Sequence, residues 1–233
     1  MKIDLHMHTH HSRDCTIPTA EVLRLCRQRG LDGIAVTDHN TLAGGLEAVS
    51  LAPAGFTVIP GEEVKSSEGE IIGLFLHEEI PAGLSPEETA ERIRAQGGVV
   101  VIPHPFDPIR KSPLKTTALE RLVAAGLVDA IEILNARMAR PAHNVRGAEF
   151  AALHNLPGTA GSDGHSRPEY AQAWIEIAPF TTRDEFVANL PAATIGGKLS
   201  PFYVHFLSTV AKRRKKLAHW RATRAAGRVP VAK

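Results

Sequence analysis

The first apolar run of the sequence ends in two histidines one residue apart: Met1-Lys2-Ile3-Asp4-Leu5-His6-Met7-His8. Alternate residues of a β-strand point to the same side, so an extended backbone brings both imidazoles to one place. With His10 and His11, four of the twelve histidines fall within eleven residues. Packing gives no reason for that density, whereas a first-row metal with nitrogen and oxygen ligands does. Two ligands need partners from elsewhere, so the positions of the other metal-type residues decide what this chain can fold into.

Strand and helix signals alternate along the chain. Predicted strands cover Ile3–Leu5, Asp32–Thr37, Phe56–Pro60, Glu70–Leu76, Val99–Ile102, Asp129–Leu134 and Gly158–Gly161, with Ala173–Ile177 as an eighth. Helix signals lie between most of them. Pro18–Arg29 is stopped by Gly30, and Thr41–Ser50 is short. Ser85 caps a helix with Pro86 at its first position and acids in its first turn. Leu114–Ala125 and Arg137–His154 follow. Strands separated by helices pair in parallel through right-handed crossovers. Seven or eight such units in about 200 residues predict a small β/α barrel, not an open sheet. One link departs from the pattern: Lys65–Gly69 is too short for a helix.

The metal-type residues fall at the carboxyl ends of these strands. His6 and His8 close the first, Asp38 and His39 the second, and Glu62 and Glu63 the third. His77, His104 and Asn135 close the next three, and Asp163 and His165 the seventh. A β/α barrel gathers those ends at one mouth, where active sites are built. The set mixes imidazoles and carboxylates without a thiolate, which favours Mn²⁺, Fe²⁺ or Zn²⁺ over a structural zinc knot. It holds more ligands than one ion uses, so two or three ions are expected, with a carboxylate such as Glu63 bridging a pair. His143, His154, His205 and His219 lie on helical stretches and read as ordinary surface or core histidines. His10 and His11 read as solvated neighbours of the site.

Two cysteines, Cys15 and Cys26, form no CxxC pair and suggest no disulfide framework, which fits a reducing cytoplasm. No apolar run approaches a membrane span, and nothing fixes an oligomeric state. The net charge of +2 hides an asymmetry. From Tyr203 onward there are nine Lys and Arg and no acid, leaving residues 1–202 at a formal −7. Phe202, Tyr203, Phe206, Leu207, Val210, Leu217 and Trp220 recur there at helical spacing. The expected organisation is therefore a barrel domain over 1–202 and a basic amphipathic helix and tail over 203–233. That helix is expected to pack on the barrel; its charges also make it a candidate contact for nucleic acid or acidic lipid.

Asp4-Leu5-His6-Met7-His8-Thr9, Thr37-Asp38-His39-Asn40, Gly61-Glu62-Glu63, the isolated His77, His104-Pro105 and Ser162-Asp163-Gly164-His165 together resemble the motifs of the PHP (polymerase and histidinol phosphatase) superfamily. The resemblance runs from the first residues to about Arg167 and implies a distorted (βα)7 barrel and a metal-dependent phosphoesterase. It also implies a trinuclear site. His6, His8, Glu63 and Asp163 would hold one ion, Glu63, His77 and His104 a second, and Asp14, His39 and His165 a third. His10 and His11 compete with Asp14 for its role. Glu63 is preferred to Glu62, which points away if the segment is extended. Asp38 precedes the ligand His39 and is expected to fix its tautomer.

Clustered divalent ions suit phosphoester hydrolysis by a metal-bridged hydroxide. Glu63 and Asp163 are expected to hold the reacting centre, and His165 or Asp14 to protonate the leaving alkoxide if the third site is empty. Arg110, Asn135 and Arg137 on mouth loops are the candidate substrate ligands, since the planar guanidinium fork suits phosphate. The expected substrate is a small phosphorylated metabolite or nucleotide. The competing readings are a nuclease gripping its strand with the basic tail, and a non-catalytic metal-binding module.

Overall fold

The computed structural model describes residues 1–107, 113–201 and 203–226, so Arg110 lies outside the described residues. Nine strands form one sheet: β1 (Lys2–Asp4), β2 (Gly33–His39), β3 (Thr57–Ser66), β4 (Gly69–Leu74), β5 (Val99–Ile102), β6 (Ala130–Asn135), β7 (Gly158–Gly161), β8 (Ala173–Glu176) and β9 (Thr194–Gly197). Their spatial order is β7-β6-β5-β4-β3-β2-β1-β8-β9. Beyond β1 the chain runs beside the end of β7. Leu5 N–H donates to Ala160 O (3.2 Å), Asp163 N–H to His6 O (2.7 Å) and His8 N–H to Gly164 O (3.1 Å). These bonds bring together the two ends of the β1–β7 run, so the sheet closes almost completely into the expected (βα)7 barrel.

The parallel neighbours are β1–β2–β3 and β5–β6–β7. β4 runs antiparallel to both β3 and β5. The short Lys65–Gly69 link is the reason. β3 extends to Ser66 and turns through two residues into β4, with Ser66 opposite Gly69 and Lys65 opposite Glu70. A hairpin of that length cannot return the chain for a parallel strand. β8 pairs antiparallel with β1, and β9 pairs antiparallel with β8 at the sheet's edge.

The helices are α1 (Thr19–Gln28), α2 (Ala43–Leu51), α3 (Pro86–Ala95), α4 (Thr116–Ala124), α5 (Pro141–Leu153), α6 (Arg183–Asn189) and α7 (Val204–Ala226). Ser85 Oγ accepts Glu88 N–H (3.1 Å) and so caps α3, with Pro86 at the first position. Thr182 and Glu185 form a capping box on α6. α5 starts at Pro141, not at Arg137 as the sequence suggested, because Asn135 Oδ1 accepts Arg137 N–H (2.9 Å) and turns the backbone aside.

The period-2 alternation of the strands divides the core. Ile3, Leu5, Ala35, Ile59, Ile72, Val99 and Val101 pack inside the barrel. Ile34, Val36, Val64, Ile71, Val100 and Ile102 face the surrounding helices. At the pole opposite the mouth, Phe75, Phe180 and Phe186 stack with ring centroids 5.2 to 6.4 Å apart. No helix among the described residues is long and apolar enough to cross a membrane, and both cysteines are buried and unpaired. The fully buried Phe186 closes the barrel floor. Phe186→Ala should cost about 3–5 kcal/mol in urea unfolding. A loss below about 1 kcal/mol would mean that the floor is not packed as described.

Candidate metal centre

Inward-facing positions climb the barrel wall to the mouth. Ala35 and Thr37 precede His39 on one face of β2, and Ile59 and Gly61 precede Glu63 on one face of β3. Glu62 points the other way and accepts Ile80 N–H (2.9 Å). His6, His8, Glu63, His104 and Asp163 are all buried.

The hydrogen bonds of two rings settle where their lone pairs point. Glu132 Oε1 lies 2.9 Å from His6 Nδ1. A carboxylate accepts, so that nitrogen carries the hydrogen. Ser12 gives its hydroxyl hydrogen to Asp38 Oδ1 (2.5 Å), so His8 Nδ1 donates to Ser12 Oγ (3.1 Å). Both rings therefore turn Nε2 inward, and the two Nε2 atoms face each other at 3.2 Å. Around them stand Glu63 Oε2, 3.6 and 3.5 Å from His6 and His8, and Asp163 Oδ1, 3.8 and 3.4 Å away. Two ligands held at about 2.1 Å from one ion lie about 3.0 to 3.4 Å apart, depending on the angle between them. The four side chains lie within about 0.4 Å of that spacing and have the chemistry of one divalent position.

Electrostatics point the same way. Burial lowers the pKa of His6, but Asp163, Glu132 and Glu63 outweigh it and hold His6 well above its usual value. Burial, with His165 and His39 beside it, holds His8 well below. The two rings thus sit in opposite surroundings, His6 among carboxylates and His8 among other imidazoles. Burial would raise Glu63, yet His39 and His6 hold its carboxyl well below the usual range. His39, lowered by burial but raised more by Glu63 and Asp14, sits at about 9.

Glu63 is the hub. Its Oε2 faces His6, His8 and His39 Nδ1 (2.8 Å), and its Oε1 lies 2.9 Å from His104 Nε2. Glu70 Oε2 stands 3.8 Å beyond His104 Nε2. On the solvent side, Asp14 Oδ1 lies 3.6 Å from His39 Nε2 and 3.3 Å from His165 Nε2. The Asp14 side chain is 19 % exposed against 2 % for His165, so it forms the rim.

The structure revises several expectations. His77 is exposed and joins none of the candidate ligand groups found among the described residues. Because β4 is antiparallel, its carboxyl end lies at the closed pole, where Phe75 packs on the floor. Glu70, at the start of β4, takes the place expected of His77 at the mouth. His10 and His11 turn away from the centre, and His11 Nε2 meets Glu47 Oε2 at 2.9 Å. Asn135 is fully buried, and its amide donates to Glu132 Oε2 (2.9 Å) and Asp163 Oδ2 (3.0 Å). It positions carboxylates and has no face left for substrate. Arg137 reaches the site but turns inward: its Nε is 2.8 Å from Glu169 Oε1, and its Nη1 is 2.8 Å from His165 Nδ1. Asp38 does not touch His39. It accepts from Thr9 N–H (2.7 Å) and from Ser12, and through Ser12 it orients His8.

Glu132, Glu70 and Glu169 were missed because they lie in a strand interior, at a strand start and in the turn after β7, not at a predicted strand end. The signal for Glu132 was present: a lone acid in Ala130-Ile131-Glu132-Ile133-Leu134, a run with no other reason to bury a charge. His104 and Asp163 adopt left-handed backbone, φ 31° and 51°. For non-glycine residues that costs on the order of 1–3 kcal/mol each and needs external support. Glu132 Oε2 supplies it to His104 N–H (2.6 Å), and His6 O to Asp163 N–H (2.7 Å).

Comparison with known proteins bears on the family and the fold. Residues 4–107 match a family model described as the PHP domain, and residues 141–195 one described as PHP-associated. The uncharacterized protein MJ1587 of Methanocaldococcus jannaschii is 42 % identical over 147 residues, covering 58 % of this chain and 82 % of its own. MJ0417 of the same organism is 35 % identical over 179 residues, covering 76 % of this chain and 71 % of its own. A two-domain protein from Bacteroides vulgatus, containing a predicted PHP-like metal-dependent phosphoesterase, has the same fold. It aligns with a TM-score of 0.71 at 17 % identity, over 85 % of this chain and 65 % of that one.

Removing Glu132 should loosen the centre without touching a ligand. Glu132→Gln is expected to weaken divalent-metal affinity about 10- to 100-fold in chelator competition. In the same assay Glu70→Gln should weaken binding, and His77→Ala should leave it unchanged. The reverse order for Glu70 and His77 would overturn the placement of β4.

Proposed function

The chain belongs to the PHP family, and from that premise we propose that it hydrolyses a phosphoester of a small phosphorylated metabolite or nucleotide at a di- or trinuclear centre. The observation that carries this reading is the facing pair of His6 and His8 Nε2 lone pairs between the Glu63 and Asp163 carboxylates. His6, His8, Glu63 and Asp163 would hold one ion, and Glu63, His104 and Glu70 a second. Asp14, His39 and His165 would hold a third. Bound Mn, Fe or Zn would supply Lewis-acid neutralisation of the phosphate and an acidified water as nucleophile.

The chain's own residues do the rest. Glu63 has an oxygen toward each of the first two positions and sets their separation. Asn135 fixes Asp163 so that Oδ1 faces His6 and His8. Glu132 and the Asp38–Ser12 pair hold both histidines in the tautomer that leaves Nε2 bare. Arg137, braced by Glu169, fixes His165. Where the third position is empty, protonation of the leaving oxygen falls to the Asp14–His165 pair at the rim.

Glu63→Gln should remove metal and activity together. Elemental analysis is expected to find two or three divalent ions per chain in the wild type and a loss of at least one in the variant. In parallel, a panel of phosphomonoesters, bisphosphorylated nucleotides and short oligonucleotides should show turnover by the wild type alone. Unchanged metal content in Glu63→Gln would contradict the site. A metal-loaded wild type inert toward the whole panel would contradict the activity.

A further inference from the structure

The basic C-terminal helix is built into the mouth of the site. Lys215 Nζ donates to Ser12 O (2.6 Å) and to His10 O. Both carbonyls belong to the loop between β1 and α1, which carries His8, Ser12 and Asp14. One ammonium thus fastens α7 to the loop that shapes the metal centre.

The stretch of α7 before Lys215 faces a cavity of about 430 Å³. Phe206, Val210 and Arg214, four residues apart and so on one face of the helix, line one wall. Ile17, His165 and Arg167 line the other. His165 Nε2 is 3.3 Å from Asp14 Oδ1, so the cavity and the metal-type cluster share the His165 side chain as a wall. A space of this size suits a small organic molecule and exceeds what one phosphate needs.

The two guanidiniums in the lining differ. Arg167 is held by both oxygens of Glu21, Nε at 2.6 Å and Nη2 at 3.1 Å, so its charge is matched. Arg214 is exposed, and its helix offers it no acid, because the sequence has none from Tyr203 onward. The cavity therefore combines an apolar body with one guanidinium fork, the group that best recognises a carboxylate or phosphate.

We propose that this cavity seats the leaving group of the phosphoester, and that Arg214 selects leaving groups carrying a second anionic group on an apolar body. The proposal rests on the phosphoesterase reading and assigns α7 to substrate selection at that same site. Phe206 and Val210 cover the apolar body. Arg214 meets the second anion while the scissile phosphate lies on the metal centre.

The test compares ligands that differ only in the second anion, using the metal-loaded full chain. Phenylphosphonate and 4-carboxyphenylphosphonate are titrated by calorimetry, and turnover of phenyl phosphate and 4-carboxyphenyl phosphate is followed in parallel. The wild type should favour the carboxylated ligand by about tenfold in Kd and KM. Arg214→Ala should bring the ratio to about one with metal content unchanged, and Arg214→Lys should restore part of it. Phe206→Ala should weaken both phosphonates several-fold. No preference in the wild type, or a preference that survives Arg214→Ala, would overturn the proposal. Turnover without preference would sink the cavity assignment and leave the phosphoesterase reading standing. An Arg214-dependent preference among the phosphonates, with no turnover of any ester, would do the opposite.

Discussion

Glu63, Glu70, Glu132 and Asp163 are all buried in one barrel mouth. Taking a carboxylate out of water costs several kcal/mol unless positive charge and hydrogen bonds meet it. This constraint governs the architecture of the site. His6 and His104 meet Glu132 and Glu63, and Asn135 meets Asp163. Glu63 draws on four imidazoles at once. A donor set this rich in carboxylates and bare nitrogens could hold divalent cations and has nothing to gain from apolar packing. The fold answers by spending its hydrogen bonds on orientation: Glu132, Ser12 and Asn135 each hold a neighbouring side chain so that its coordinating atom faces inward.

The parallel strands explain how so many ligands converge from distant sequence. Each brings its carboxyl end to the same pole, and period-2 alternation decides which of two adjacent residues faces inward, as with Glu63 and Glu62. That rule was legible in the sequence for His6, His8, His39, His104, Asp163 and His165, because each closes a recognisable apolar strand. It failed at β4. The five-residue link before that strand signalled a hairpin, and a hairpin reverses which end of the strand is the mouth. His77 therefore lies at the closed pole, and Glu70 enters at the strand start. The residues that hold the ligands were less legible still. Glu132 reaches His6 and Glu169 reaches Arg137, and contacts between residues so far apart in sequence leave no local pattern. Asn135 and Arg137 were found by position and misread in role, because exposure decides whether a polar group meets substrate or a neighbour.

The left-handed backbone at His104 and Asp163 belongs to the same logic. Both follow directly from strand to loop and must swing a side chain back over the mouth. The strain is held by bonds from groups that also serve the ligands, so structure and site share their supports. The β1–α1 loop is tied similarly. Asp38 anchors it through Thr9 and Ser12, the Tyr170 hydroxyl donates to His8 O (3.0 Å), and Lys215 grips it from α7. The acid-free charge of α7, on a helix that the sequence expects to pack on the barrel, is in part committed to this loop.

We propose that the buried imidazoles and carboxylates bind a cluster of divalent ions, which anomalous diffraction from crystals of the manganese-loaded protein would reveal. One peak is expected bounded by His6, His8, Glu63 and Asp163 and a second bounded by Glu63, His104 and Glu70. Loaded crystals with no anomalous peak within the barrel mouth, or with a peak ligated by His77 while Glu70 stays unligated, would contradict it.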